Sequence, residues 1–431
     1  MATTDIASIQ GMQRHGFWRD LKITRTLIFS LLFIVAGAYM LISVPSGMSG
    51  DTITTLTFGS GLPDLPVPTL AYALVVAIFY IAAGIAGLLP TPQRIKTILL
   101  LLGGVFIIPT VLVIAAANNS TNVTVMLQVS VRLATPIAMG ALAGIWCERS
   151  GVTNIAIEGM MLTGACFGFV AFALFVGSMT TPQAQLIGVV VATLSGGLMA
   201  VLHAWLSIKF KTDQIVSGTV INILAIGLTS FIRREVLLSS EAGRETLQQI
   251  RIPVLGDVPV LGDVFFNGRP IFYAMFILLF VTHIVLFYTR WGLRTRAVGE
   301  NPHAADTLGI NVLRNRWINV IIGGLIAGMA GAWFSMETSG SFDDGMTSGR
   351  GFIGLAAMIF GKWMPFGAFG GGLLFGFSDA LGQRFQFLGV PVPPQFLQMV
   401  PYVITIVVLA GLVGRAIAPK ADGVPYEKEG K

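Results

Sequence analysis

Runs of about 18 to 25 apolar residues recur along the chain, and each is long enough as a helix to cross the ~30 Å hydrocarbon layer of a bilayer. In lipid a spanning segment must satisfy its own backbone hydrogen bonds, so runs of this length predict helices rather than open strands. With 54% hydrophobic residues, 11% charged residues and a mean hydropathy of +0.79, the chain falls outside the soluble globular range. The expected fold class is an all-α polytopic membrane protein. A net charge of +6 would suggest nucleic acid in a soluble chain; here it fits loops that obey the positive-inside rule, and no nucleic-acid partner is expected. Cys147 and Cys166 lie in apolar or helix-end settings without metal-ligand spacing and read as core residues, so no metal site is expected.

In chain order the runs are Leu27 to Val44, Thr69 to Leu89, Thr97 to Ala117, Val125 to Cys147, Val152 to Gly177, Ala184 to Ile208, Ile215 to Ile232, Ile271 to Thr289 and Ile318 to Met336. The first is too long for a usual signal sequence and reads as a retained span. A segment from Gly351 to Leu381 holds two shorter runs broken at Lys362 to Pro365, and a last span covers Gln398 to Gly414, for about ten to twelve membrane segments. Eighteen of the 27 Lys and Arg fall in the termini and loops that alternation assigns to the cytoplasm, whereas Pro45 to Pro68 and Asn118 to Thr124 contain neither. Both termini are therefore expected inside. The loop 233–270 is expected outside, its repeated Gly-Asp-Val pieces forming turns between short extended stretches.

The stretch Tyr288 to Trp317 is a polar island carrying Arg290, Arg294, Arg296, Arg314 and Arg316 between two apolar runs. Within it, Asn301-Pro302 can open a short helix, Ala304 and Ala305 give a close contact face, and Gly309 can end it. A weak internal repeat pairs Ala143-Gly144-Ile145-Trp146 and its following Ser150 to Met160 with Ala330-Gly331-Ala332-Trp333 and Ser348 to Met358. In the alternating path one copy ends a descending span and the other an ascending one, as an inverted repeat with broken or re-entrant helices requires. Intramembrane charges are functional candidates by default. Arg132 can snorkel outward, Asp379 reads as near an interface, and Glu158 either orients a pore-lining helix or contacts substrate. Asn154, Glu158, Asn222 and Phe352 are the candidate substrate-path residues, offering polar and aromatic groups for a flat, hydroxylated ligand.

No G-x-x-x-x-G-K-[ST] occurs, since Gly361-Lys362 is followed by Trp363, and neither H-E-x-x-H nor a nucleophile elbow is present. Enzymatic chemistry has no visible home, and spans poor in carboxylates argue against an ion-coupled carrier. Energy is expected through a cytoplasmic contact with another subunit.

Five stretches then carry a family resemblance: GALAGIWCERSGVTNIAIEGMMLTGA (Gly140 to Ala165), TDQIVSGTVINILAIGLTSFI (Thr212 to Ile232), WGLRTRAVGENPHAADTLGINV (Trp291 to Val312), MTSGRGFIGLAAMIFGKWMPFGA (Met346 to Ala368) and LQMVPYVITIVVLAGLVGR (Leu397 to Arg415). The chain resembles the permease subunits of binding-protein-dependent ABC importers, in the nucleoside branch beside the ribose-type sugar and branched-chain amino-acid permeases. The resemblance implies an N-terminal extension of about three spans at 1–124, a permease core at 125–415 with a cytoplasmic coupling loop at 290–316, and a cytoplasmic tail at 416–431. It implies a nucleoside importer of a prokaryotic inner membrane, a ribose-type sugar permease being the alternative. The implied partners are ABC ATPase subunits that bind the ATP, a second permease subunit forming a heterodimer, and an extracellular or lipid-anchored substrate-binding protein; this chain itself holds no cofactor. The positions matching the coupling helix are Gly299, Glu300, Asn301, Ala304, Ala305 and Gly309. The extension, longer than the family core, either braces the partner permease or adds to the bundle.

Overall fold

The computed structural model describes residues 25–59, 61–238, 245–387, 399 and 416–428. The expected last span, Gln398 to Gly414, and the basic stretch before Arg25 lie outside the described residues. The chain is an all-α polytopic membrane protein: among the described residues nine helices are long and apolar enough to cross a membrane.

Two compact units are present. The first contains α1 (Arg25–Gly47), α2 (Thr69–Leu88) and α3 (Gln93–Ala115). Its α1 and α2 touch through small residues. A Cβ added at Gly37 would lie 2.6 Å from the Ala77 carbonyl oxygen, and one at Gly84 2.5 Å from that of Ser30. This is the close backbone approach by which helices associate where lipid supplies no hydrophobic drive. Phe33 stacks on Tyr80 beside that contact, at 5.1 Å between centroids.

The second unit begins its helices with α4 (Val123–Glu148), α5 (Ile157–Phe175), α6 (Thr181–Ala204), α7 (Gln214–Ile232), α8 (Leu261–Phe265) and α9 (Pro270–Tyr288). It continues with α10 (Arg290–Glu300), α11 (Pro302–Thr307), α12 (Val312–Ala332), α13 (Arg350–Phe360) and α14 (Pro365–Phe387). Helices α6, α7 and α12 each run on through a π-helical turn, at Trp205–Lys209, Arg233–Leu237 and Trp333–Ser339. Helix α12 is central and packs on α4, α5 and α6. Its Gly328 meets Gly164 of α5 and Gly196 of α6 so closely that a Cβ on any of the three would overlap a neighbouring backbone atom. Three helix backbones thus pack there without intervening side chains.

The interrupted segment at 351–381 is a helical hairpin. At 11 residues α13 is about 16 Å long, too short to span. It ends in a turn where Lys362 and Trp363 both take positive φ, 54° each, and Pro365 opens α14. Helix α14 returns along α4, with Gly376 against Ala134 and Arg384 Nε donating to Thr121 Oγ1 at 3.1 Å.

One local expectation is corrected. The repeated Gly-Asp-Val pieces of the loop 233–270 are not turns between extended stretches but helical turns, Leu255–Asp257 and α8. Each follows a Pro-Val pair whose valine, Val254 or Val260, sits at positive φ (67° and 64°) in a γ-turn that bends the chain sharply enough to start the next helical turn. Among the described residues of this loop, strand pairing is between Ile250 and Gly268 and between Arg251 and Asn267.

Candidate functional site

Helix α10 is tied to α12 by buried polar side chains. Asn315 and Asn319 both donate to Thr295 Oγ1 at 3.2 Å, and Trp291 Nε1 donates to Asn319 Oδ1 at 3.3 Å. Buried amides of this kind must be paired, and pairing them across two helices fixes the angle between those helices. Gly299, near the end of α10, is buried where an added Cβ would overlap the Arg149 carbonyl, so it seats α10 against the end of α4. Glu300 is exposed.

Asn301 caps α11, its Oδ1 accepting from the Ala304 N–H at 3.0 Å, and Pro302 occupies the first helical position. Gly309, at φ 80°, stops the helix. The two alanines separate. Ala305 is buried against Val298, Val312 and Tyr426, whereas Ala304 is exposed along with Thr307 and Leu308, the last at 81% exposure. The exposed side of this short helix thus carries His303, Ala304, Thr307 and Leu308, while Ala305 holds it to its own chain.

What it is held to includes the tail. Ala421 N–H donates to the Gly299 carbonyl at 2.9 Å, and Arg316 donates from Nη1 to the Val424 carbonyl (2.9 Å) and from Nε to the Ser150 carbonyl (3.2 Å). Arg316 is thus buried structure, unlike a loop arginine that only marks a side of the membrane. Asp422 accepts from Thr153 Oγ1 at 3.0 Å and shares a hydrogen bond with Glu148, whose Oε2 accepts from Trp363 Nε1 at 2.6 Å. Two carboxyl groups therefore meet at the end of α4, and the buried Arg316 guanidinium interacts with one of them, Asp422.

Burial pushes the Asp422 carboxyl up from 3.8 to about 6, against the lowering effect of Thr153, Glu148, the Gly423 N–H and Arg316. Because the docked tail takes up a proton that the free tail does not, this contribution to docking is fully present below about pH 4 and is lost as the pH rises through 6. The groups facing Asp422 are Glu148, Thr153 and Arg316. Amide-exchange protection of 417–428, relative to intrinsic exchange, is therefore expected to be stronger at pH 5.5 than at pH 7.5. Asp422→Asn is expected to abolish that difference, and equal protection at both pH values in the unaltered chain would contradict the assignment.

The second cluster lies where α5 and α13 begin. After Gly151, at φ 83°, residues Val152 to Ala156 fold back along α4, so that Ile157 packs beside Gly140. The Glu158 carboxylate there accepts three hydrogen bonds from the segment leading into α13: Thr347 Oγ1 at 2.6 Å, Gly349 N–H at 2.8 Å and Gly351 N–H at 2.7 Å. An anion capping the positive end of a broken helix is electrostatically favoured. The two stretches of the internal repeat thus lead into helices whose first turns meet.

Asn222 of α7 accepts from the Gly159 N–H (2.8 Å) and donates to the Ile155 carbonyl (3.0 Å), holding the same break. Asn154 is fully buried; its Oδ1 accepts from the Ala156 N–H at 3.1 Å and its amide lies 3.3 Å from Cys147 Sγ. Phe352 is 45% exposed on the first turn of α13. The structure therefore brings Asn154, Glu158 and Asn222 together as a backbone frame and leaves the Phe352 ring open. Beside it, Arg350 Nη2 pairs with Asp379 Oδ2 of α14 at 3.2 Å. That pair escapes sequence reasoning, although an arginine starting a short apolar run and an aspartate inside another were the available signals. Arg132 does not meet Glu158; it donates to the Asn267 carbonyl at 3.1 Å.

Comparison with known proteins places the chain. Residues 125–409 match the family described as the permease component of branched-chain amino acid transport systems. The chain belongs to this family and is a multi-pass membrane permease, a transport subunit and not an enzyme. It is 43% identical over 302 residues to the guanosine ABC transporter permease protein NupQ of Bacillus subtilis, covering 68% of this chain and 94% of that protein. It is 42% identical over 299 residues to the nucleoside ABC transporter permease protein NupC of Lactococcus lactis, again covering 68% and 94%. A second Bacillus subtilis protein, the guanosine ABC transporter permease NupP, is 27% identical over 242 residues, 54% of this chain and 66% of its own length. No solved structure matches.

Proposed function

We propose that this chain is one of two non-identical permease subunits of an ATP-driven nucleoside importer. The observation that carries this reading is identity of 42 to 43% with permeases named for guanosine and nucleosides over nearly the whole of those proteins. Two such permeases, NupP and NupQ, occur in one bacterium, which supports a heterodimer. ATP is held by separate ATPase subunits that seat on α11, and Leu308 with 81% exposure at the tip of a capped helix suits an apolar cleft in such a partner. An external binding protein delivers the substrate. The tail and the α10–α11 loop share one face, and their basic residues make that face cytoplasmic, with both termini inside. The substrate path runs past the α5–α13 junction, where Asn154, Asn222 and Glu158 frame the break and Phe352 offers a ring for a nucleobase to stack on. The core at 125–415 carries transport.

Reconstitution of the complete importer in proteoliposomes tests this. ATP-dependent uptake of labelled guanosine, competed by other nucleosides and not by ribose or glucose, is the expected result. Competition by sugars alone would move the chain to the sugar branch. Uptake that survives ATP depletion and collapses with the ion gradient would make it a secondary carrier.

A further inference from the structure

The tail is more than a terminus lying on the surface. Along residues 421–428 the tail meets α10, the end of α4, the start of α12 and then α11. Lys428 Nζ reaches Asp306 of α11 at 3.8 Å, and Tyr426, 6% exposed, packs on Ala305, Val298 and Val312, with its ring 5.2 Å from that of His303. Val424 and Ala421 are held by Arg316 and Gly299 through backbone hydrogen bonds, and Asp422 is held by Thr153 and Glu148. The fit leaves no slack: a Cβ on Gly151 would lie 2.8 Å from Arg316 Nη2 and 3.0 Å from the Ala421 carbonyl oxygen.

Two features make this a mechanical connection. By itself α11 has six residues, joined to α10 and α12 by short connections, and it buries only Pro302 and Ala305; much of what it leans on is Tyr426. At the other end of the strap, Glu148 joins Asp422 to Trp363, the residue that turns α13 into α14, and Arg149 Nε donates to the Trp363 carbonyl at 3.1 Å. Contacts are continuous from α11 through Tyr426 and Asp422 to Glu148 and Trp363, and from there along α13 to Glu158.

We propose that residues 417–428 form a transmission strap that fixes α11 to the end of α4, so that displacement of α11 is carried to the α13–α14 hairpin instead of being absorbed by the loop. The inference rests on the ATP-driven reading above. The exposed pairs Lys211–Glu427 and Lys428–Asp306 are screened and contribute little; Tyr426 and Asp422 do the holding.

The test uses the complete reconstituted importer, with guanosine uptake and ATP hydrolysis measured in the same vesicles. The variants are a chain ending after residue 415, Tyr426→Ala, and Tyr426→Phe as the conservative control. For the truncation and Tyr426→Ala, uptake is expected to fall about tenfold while hydrolysis stays within about twofold of the unaltered complex, with ATPase still copurifying. Tyr426→Phe is expected to restore coupling. If the truncated chain fails to assemble, Tyr426→Ala decides. Uptake and hydrolysis lost together, with loss of the ATPase, would make the strap a structural part only. An unchanged ratio of nucleoside moved to ATP hydrolysed would overturn the proposal directly. Failure of the import reading looks different, because the unaltered complex would then show no ATP-dependent uptake, and the strap proposal would fall with it.

Discussion

Leu308→Asp is expected to leave the permease folded and to remove its ATPase. Leu308 is 81% exposed at the end of α11, so its replacement should change stability by no more than about 0.5 kcal/mol. In a docked complex the same position would be desolvated. Placing a carboxylate there costs several kcal/mol, equivalent to at least about a hundredfold in affinity. The paired change Ala305→Arg gives the opposite pattern, because Ala305 is buried under Tyr426 and an arginine there must displace the strap or α11 itself. Thermal unfolding of the purified chain and copurification of the ATPase separate the two: a normal midpoint without ATPase for Leu308→Asp, a lowered midpoint for Ala305→Arg. Retention of ATPase by Leu308→Asp at unaltered affinity would remove α11 as the docking element.

Glu158→Ala is expected to have the largest effect of any single change in the bundle. Its carboxylate satisfies Thr347 Oγ1 and the Gly349 and Gly351 N–H groups, and all three donors lose that acceptor once the oxygen atoms are gone. Charge-assisted bonds of this kind are worth roughly 1.5 to 3 kcal/mol each when well buried, but this site is only partly buried, so water can satisfy some of the freed donors and the joint loss should cost about 2 to 4 kcal/mol. Residues 347–355 should lose exchange protection, and nucleoside uptake should fall by more than about tenfold. Glu158→Gln should be intermediate, since one of its two positions then presents N–H to N–H. Unaltered protection at 347–355 in Glu158→Ala would show that the first turn of α13 is held by packing alone.

Much of the bundle was legible because the solvent dictates it. Apolar runs of the required length had to be helices, and the break at Lys362 to Pro365 was visible because a charge and an imino acid interrupt an otherwise continuous run. The opening of α11 by Asn301 and Pro302 and its arrest at Gly309 were also local chemistry. Other features are set by distant chain. That Ala305 turns inward and Ala304 outward depends on Tyr426, which lies in a polar tail with no periodicity to announce burial. Glu158 was visible as an isolated carboxylate, but its partners are 189 to 193 residues away. Arg316 looked like one more loop arginine, and only the return of the tail over it makes it part of the interior. The Gly-Asp-Val pieces misled because two valines accept a backbone conformation that β-branched residues rarely adopt.

The glycine contact of α5, α6 and α12 bears on which parts can move. Where Gly164, Gly196 and Gly328 bring three backbones together, no side-chain rotamer is available to fill space as the helices separate. A gap of about half an ångström forfeits roughly a quarter of the dispersion attraction along the seam. The seam therefore favours these three helices moving together as one wedge. The freedom needed to admit a solute has to come from what leans on that wedge, and the turn at Lys362 and Trp363, where the α13–α14 hairpin bends back, is the natural pivot for it.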